Sequence, residues 1–158
     1  MTQPLVVFDN VVKHFGSFQA VECMNLEIYE GEFVAIMGSS GCGKTTTLRM
    51  LAGLEKPSDG EIRLKGERIN DLYSWERETP LVWQNLALFP FLNVIENVEF
   101  GLKMRGMAKA ERRKKALHWL GRLDLEEFAE RDISQLSGGQ KQRVALARSL
   151  VTEPPILL

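Results

Sequence analysis

A glycine-rich stretch at residues 38–47 most constrains what this chain can fold into; it reads Gly-Ser-Ser-Gly-Cys-Gly-Lys-Thr-Thr-Thr. An apolar run at residues 33–37 precedes it, and apolar residues at helical spacing follow it from Leu48. A strand, a glycine loop and a Lys-Thr pair at a helix start form the context that a phosphate-binding loop, or P-loop, requires. Because glycine has no Cβ, such a backbone can curl closely around an anion. The pattern therefore predicts a strand at 33–37, a phosphate-binding loop and a helix.

The residue types in this loop predict how it holds a nucleoside triphosphate and Mg²⁺. Backbone amides from about Ser40 to Thr46 can converge on phosphate oxygens, and the helix N-terminus adds positive potential. Lys44 is predicted to reach the β- and γ-phosphates, and the Thr45 hydroxyl to bind Mg²⁺. The predicted nucleotide-binding residues of the loop are Gly38, Ser39, Ser40, Gly41, Cys42, Gly43, Lys44, Thr45 and Thr46.

The composition is that of an ordinary soluble globular chain, with 44% hydrophobic and 26% charged residues among 158. This length is enough for one domain with its own core. A formal net charge of -1 gives no case for bulk affinity to nucleic acid. Cys23 and Cys42 lie in unrelated contexts, which favours a reducing compartment over a disulfide. We see no signal peptide and no apolar run near about 18 residues, so we expect any membrane connection to go through a partner.

Alternating apolar and polar residues predict an antiparallel β-layer beside a parallel core. Strands are expected at residues 5–12 and 21–28, with a turn at residues 16–17 between them. A hairpin at residues 61–69 is expected after the turn residues at 56–60.

The second half of the chain is predicted to be mainly helical. A short buried strand is expected at residues 80–84. Asn93 is predicted to cap a helix that runs through Leu102, and a second helix is expected at residues 109–123.

A second motif, Leu-Ser-Gly-Gly-Gln at residues 136–140, opens a further predicted helix at residues 141–151. Ser137 is a suitable N-cap, and two glycines at a helix start again present bare amides to an anion. A single nucleotide needs one such loop, so the second is predicted to serve the nucleotide of another copy of the chain. The predicted nucleotide contacts of this motif are Ser137, Gly138, Gly139 and Gln140.

The two motifs, in this order, resemble those of the ATP-binding cassette (ABC) ATPases, and the resemblance covers essentially the whole chain. Residues 38–45 match the Walker A loop of that family, and residues 136–140 match its signature motif. Gln84 matches the glutamine of its Q-loop. Phe15 stands where the family places an aromatic residue that stacks on adenine, although tyrosine is more common there.

The resemblance implies a set of cofactors and roles. In the family, the signature of one subunit closes over the γ-phosphate held by the P-loop of a second subunit, so ATP is held in a head-to-tail dimer. ATP and Mg²⁺ are the implied cofactors. Lys44 and Gln84 are the implied catalytic residues, and Thr45 and Gln84 the implied Mg²⁺ ligands.

The resemblance also implies the fold, which is α/β. We expect one incomplete nucleotide-binding domain over residues 1–158. Residues 1–90 are expected to hold a parallel P-loop NTPase core with an antiparallel β-subdomain. Residues 91–135 are expected to form an inserted α-helical subdomain, and residues 136–158 the signature helix and the start of the Walker B strand.

Within the family, residues 84–94 and 96–102 look like those of bacterial importer subunits, most like the ATPases of spermidine/putrescine importers and their iron and sulfate relatives. That likeness implies membrane-spanning permease subunits as partners, a second copy of the ATPase, and indirectly a solute-binding protein. It implies no nucleic-acid partner. The expected location is the cytoplasmic face of the cell membrane.

Residues 155–158 look like the beginning of the Walker B strand, and the sequence stops before the Asp-Glu pair of that motif. In the family, the Asp helps to hold Mg²⁺ and the Glu polarises the attacking water. We therefore expect a fragment of a longer subunit that is inactive alone.

Two other functions are open at this point. One is a soluble ABC ATPase that acts on nucleic acid or the ribosome. DNA-repair members carry a long coiled coil between the Q-loop and the signature, whereas positions 84–136 of this chain lack sustained heptads. The other is a nucleotide-binding remnant without turnover.

Overall fold

The computed structural model describes residues 3–158, which form two compact units. The first unit comprises residues 3–79 with Leu158, and the second comprises residues 80–157. Within the described range, no helix has the length and apolar character needed to span a bilayer. The elements are β1 (Val6–Phe15), β2 (Phe18–Ile28), α1 (Lys44–Leu51), β3 (Asp59–Leu64), β4 (Glu67–Arg68), α2 (Val94–Met104), α3 (Lys109–Arg122) and α4 (Gly138–Leu150), with 3₁₀ turns at Glu126–Phe128 and Ile133–Gln135.

The first unit is built on a four-stranded antiparallel sheet with the strand order β2-β1-β3-β4. In the central strand β1, Val6 pairs with Ile28 of β2 and with Leu64 of β3. All three side chains are buried, as expected for the core face of an antiparallel sheet. The sheet confirms the antiparallel layer that the alternation predicted.

A β-bulge in the middle of β1 changes which side chains face the core. Val6 and Phe8 are buried, and the register of β1 against β2 shifts before Val11. Asn10 lies inside the bulge with a φ of 48°. Because side chains along a strand alternate between faces, one extra residue moves the odd-numbered positions that follow to the buried face. Val11 and Lys13 are the side chains that the bulge turns inward.

Both ends of α1 are fixed within the first unit. At its start, Gly43 lies against the Ala20 carbonyl of β2, where a Cβ would come within 2.4 Å of the oxygen. At its end, the buried Arg77 guanidinium donates to the carbonyl oxygens of Met50 (2.7 Å) and Leu51 (3.2 Å). A cation at this end also complements the helix dipole. The helix after the glycine loop, predicted from sequence, is therefore confirmed and held at two points.

The second unit has a helical core formed by the apolar faces of α2, α3 and α4. The predicted helices at 93–102, 109–123 and 141–151 are confirmed, and α4 already begins at Gly138. The buried apolar residues of this helical core are Val94, Ile95, Val98, Leu102, Ala116, Leu120, Leu125, Ala129, Ile133, Leu136, Val144, Ala147 and Val151.

The start of α2 is organised by two asparagines. Asn93 caps the helix as predicted, because its side chain accepts from the Glu96 amide while the Glu96 carboxylate accepts from the Asn93 amide. Asn97 is fully buried. Its side-chain amide donates to the carbonyl oxygens of Phe89 (3.1 Å) and Leu92 (3.0 Å), and its Oδ1 accepts from the Phe89 amide at 2.8 Å. Asn97 therefore ties the preceding loop to the helix.

The prediction of three strands for a parallel core is wrong: residues 33–37, 80–84 and 155–158 do not form strands in this structure. Parallel strands are stable when hydrogen-bonded neighbours flank them and other elements cover both faces. Among the described residues, the sheet contains antiparallel pairs alone. The Phe33 ring is accordingly 98% exposed, in a segment that the apolar pattern had placed inside a core.

We predict that Asn97→Ala destabilises the second unit by about 1–3 kcal/mol, because it leaves buried backbone groups of the preceding loop unpaired. Urea unfolding followed by far-UV circular dichroism measures the change in free energy of unfolding. Lys103→Ala, on the exposed side of the same helix, is the matched control and should change little. Equal stability of the Asn97 and Lys103 variants would contradict the proposed role.

We also predict that Gly43→Ala lowers the melting temperature more than Gly41→Ala. Alanine would be strained to almost the same extent at both positions, because φ is 88° at Gly43 and 87° at Gly41. They differ in space: a Cβ at position 43 would meet the Ala20 oxygen, whereas a Cβ at position 41 meets nothing within 4 Å. A thermal melt of both variants separates the clash from the strain. The same loss of melting temperature in both would show that contact with β2 does not matter.

Candidate functional site

The ammonium of Lys44 lies on the backbone of the glycine-rich loop. Its Nζ donates to the carbonyl oxygens of Gly38 at 2.8 Å and Ser39 at 2.7 Å, and it lies 3.4 Å from the Cys42 Sγ. The side chain thus curls back over the loop that the sequence assigned to phosphate. The loop itself is exposed from Gly38 to Cys42. A cation placed over an open loop is an arrangement that suits a bound anion.

The hydroxyls near the start of α1 divide into structural and accessible ones. The buried Thr47 Oγ1 donates to the Gly43 carbonyl at 3.0 Å, so this hydroxyl is used within the helix. Ser39, Ser40 and Thr45 are exposed. The accessible hydroxyls are those that the sequence pattern assigned to phosphate and Mg²⁺.

The start of α1 has no side-chain cap. The first amides of a helix have no acceptor within the helix, and together with the dipole they favour a negative group. Gly43 is the N-cap residue and supplies no side chain that could compete. The donors at this position, the Lys44 ammonium and the exposed hydroxyls fit a phosphate chain by their chemistry.

Phe15 lies in the same unit as the glycine loop, at the end of β1. Its ring is 47% exposed, so one part of it is accessible to a ligand. It pairs across a tight turn with Phe18 of β2, and the same strand presents the Ala20 carbonyl to Gly43. One hairpin therefore carries the predicted base-stacking ring and also contacts the start of the predicted phosphate-binding helix.

The signature residues form the start of α4 in the second unit. Ser137 is the N-cap, as predicted: its Oγ accepts from the Gln140 amide, and its own amide donates to the Gln140 Oε1. Gly138 and Gly139 are exposed, and a Cβ on either would meet nothing within 4 Å. Gln140, which the sequence assigned to nucleotide contact, uses its side-chain oxygen in this capping box.

Gln84 is exposed in the second unit, and the backbone just after it is unusual. Leu86 and Ala87 have φ values of 62° and 43°, a region that costs non-glycine residues about 1 kcal/mol or more each. Arg148 of α4 donates to both carbonyl oxygens, at 2.8 Å for Leu86 and 2.6 Å for Ala87. Burial lowers the pKa of the Arg148 guanidinium below its usual value. The signature helix thus holds the segment that follows Gln84.

Sequence reasoning did not find Arg148, and it also missed Lys13, whose Nζ lies 4.8 Å from the centre of the Phe15 ring. The hydrogen-bond partners of both residues lie at least 42 positions away in the sequence, so no local motif marks these contacts. Phe15 and the P-loop belong to the first unit, whereas Gln84 and the signature belong to the second. Across the described residues, no group of three or more His, Cys, Asp or Glu side chains is placed to hold a metal ion.

Comparison with known proteins places these motifs in a family. The sequence profile of the ABC transporter family matches residues 21–158. The spermidine/putrescine import ATP-binding protein of Roseobacter denitrificans is 52% identical over 149 residues, which cover 94% of this chain and 41% of that protein. The Fe(3+) ions import ATP-binding protein of Escherichia coli K12 is 47% identical over 159 residues, covering 100% of this chain and 46% of that protein. The chain spans less than half the length of these relatives.

Solved structures agree with the sequence matches. An ATP-binding cassette solved as a dimer in a post-hydrolysis state, bound to ADP and Pi, is 42% identical. It superposes with a TM-score of 0.84 over 96% of this chain and 72% of its own. This likeness confirms the α/β cassette fold that the motifs predicted. Because the family profile covers most of the sequence and the cassette structure matches nearly all of it, the chain belongs to the ABC transporter family.

Proposed function

We propose that this chain is the ATP-binding part of a motor subunit that hydrolyses ATP to drive solute import through a membrane transporter. The observation that carries the proposal is the Lys44 ammonium lying over an exposed glycine loop at an uncapped helix start. The names of the two import relatives support the direction of transport.

The nucleotide is assigned to the first unit. Lys44 exchanges its loop carbonyl partners for the β- and γ-phosphates, so its ammonium stays hydrogen-bonded and gains oppositely charged partners. The amides and hydroxyls of Ser39, Ser40 and Thr46 take the remaining phosphate oxygens, and Phe15 stacks on the adenine. Mg²⁺, when bound, neutralises developing negative charge on the phosphates. The Thr45 hydroxyl is the side-chain group of this unit that we assign to it.

Catalysis is assigned to two copies of the chain. The exposed amides of Gly138 and Gly139, with the Ser137 hydroxyl, suit the γ-phosphate of a nucleotide held by a second copy. The cassette of similar structure was solved as a dimer, which supports this arrangement. Gln84 is the residue we assign to orienting the attacking water, and Lys44 to stabilising the transferred phosphoryl group.

Coupling to transport is assigned to the surface just after Gln84. Phe91 is 97% exposed and Phe89 partly so, which leaves apolar surface beside the segment that Arg148 holds. We assign this surface to a helix of a permease subunit. The subunit would then work at the cytoplasmic face of the cell membrane, with a solute-binding protein as an indirect partner.

We predict that Lys44→Ala weakens binding of ATP–Mg²⁺ to the chain by about tenfold to a hundredfold, because it removes a charge-assisted contact worth about 1.5–3 kcal/mol. Isothermal titration calorimetry on the purified chain gives the dissociation constant. Lys56→Ala is the matched control, since it removes the same charge from an exposed side chain of the same unit. An unchanged dissociation constant for Lys44→Ala would refute the assigned role of the loop.

A further inference from the structure

Lys13 is a largely buried lysine on the core face of β1, where lysine is rare. The bulge in β1 turns its side chain to the core face, and only 11% of that side chain remains exposed. Lysine is almost never buried unless its charge is paired. A buried ammonium therefore points to a specific set of partners.

Those partners come from two places in the first unit, the loop that follows α1 and the end of β1. The Lys13 Nζ lies 2.6 Å from the Glu55 Oε1 and 2.7 Å from the Lys56 carbonyl oxygen, and it donates to both. It also lies 4.8 Å from the centre of the Phe15 ring, within the range of a cation–π contact. One ammonium thus joins the predicted base-stacking ring to the loop that follows α1.

The contact is part of a wider attachment between β1 and that loop. The Ser58 amide donates to the Val12 carbonyl at 2.8 Å, and the His14 amide donates to the Ser58 Oγ at 3.0 Å. The start of α1 meets β2 of the same hairpin through Gly43 and Ala20. The hairpin that carries Phe15 is therefore attached at both ends of the helix.

We propose that Lys13 is a positioning residue for the nucleotide base, which it serves by holding the Phe15 ring next to the loop that follows α1. The proposal rests on the function proposed above, since it needs Phe15 to stack on the base. A cation on one face of an aromatic ring draws electron density towards itself. The opposite face then becomes a better stacking partner for an electron-rich purine.

A purely structural role for Lys13 gives a different pattern of binding. If the lysine only stabilised the first unit, its removal would weaken every ligand of the P-loop alike. If it acts through Phe15, its removal weakens the binding of ligands that carry a base. The binding of a phosphate chain without a base is then unchanged. ATP and inorganic tripolyphosphate, each with Mg²⁺, are therefore the two probes.

The experiment measures the dissociation constants of both probes for the full chain and its variants. Lys13→Met keeps the aliphatic stem and is expected to weaken ATP binding by about threefold to tenfold, while tripolyphosphate binding changes less than about twofold. Lys13→Arg is expected to restore most of the ATP affinity. Lys56→Met, which removes a charge nearby without touching the ring, is the matched control and should change neither probe.

A double-mutant cycle tests whether Lys13 acts through the ring. Phe15→Ala combined with Lys13→Met is expected to bind ATP no more weakly than Phe15→Ala alone. Additive losses, or equal weakening of ATP and tripolyphosphate in Lys13→Met, would overturn the proposal while leaving the proposed function intact. A wild-type chain that binds neither probe would instead overturn the proposed function itself.

A fold control accompanies these measurements, because removing a buried cation leaves the Glu55 carboxylate without its partner. Should Lys13→Met melt below the assay temperature, Glu55→Gln takes its place. That variant weakens the contact that holds the Lys13 ammonium without removing the lysine. The same selective loss of affinity for ATP, with little change for tripolyphosphate, is expected. An equal loss of both probes would again mean a structural role.

Discussion

The first unit depends on how the two ends of α1 are satisfied. A helix leaves its first amides and its last carbonyls without partners, and a folded chain must supply partners from elsewhere. At the C-terminal end the chain does so with the buried guanidinium of Arg77, which donates to the Met50 and Leu51 carbonyls and complements the dipole. At the N-terminal end it supplies a glycine and no side-chain cap. The end that has no side-chain cap is the one at Lys44, the end that we propose binds the phosphates.

The start of α4 follows a different arrangement of the same groups. Ser137 and Gln140 form a reciprocal capping box that stabilises the helix without a ligand. The glycines between them are exposed. The two helix starts thus differ: side chains cap the start of α4, whereas the start of α1 has no side-chain cap.

The sequence was sufficient for features that depend on neighbours in the chain. The cap at Asn93, the cap at Ser137 and the glycine loop were all predicted, because each follows from residues within one or two turns. The strands expected at 33–37 and 80–84 were wrong, since a strand exists only when another strand pairs with it. Lys13 and Arg148 were missed for a related reason. Their hydrogen-bond partners lie at least 42 positions away, and no local pattern encodes such a contact.

The bulge at Asn10 shows how far a single local irregularity can reach. Without it, strict alternation along β1 would leave Lys13 on the opposite face from Val6. The inserted residue turns the ammonium inward, where it meets Glu55 and Phe15. Burial then raises the electrostatic strength of each contact, because the low local dielectric screens less. A change of one residue in strand register thus determines whether the aromatic ring at the end of the strand has a fixed position. If folding already orders the ring, its conformational entropy is lost during folding and not during binding.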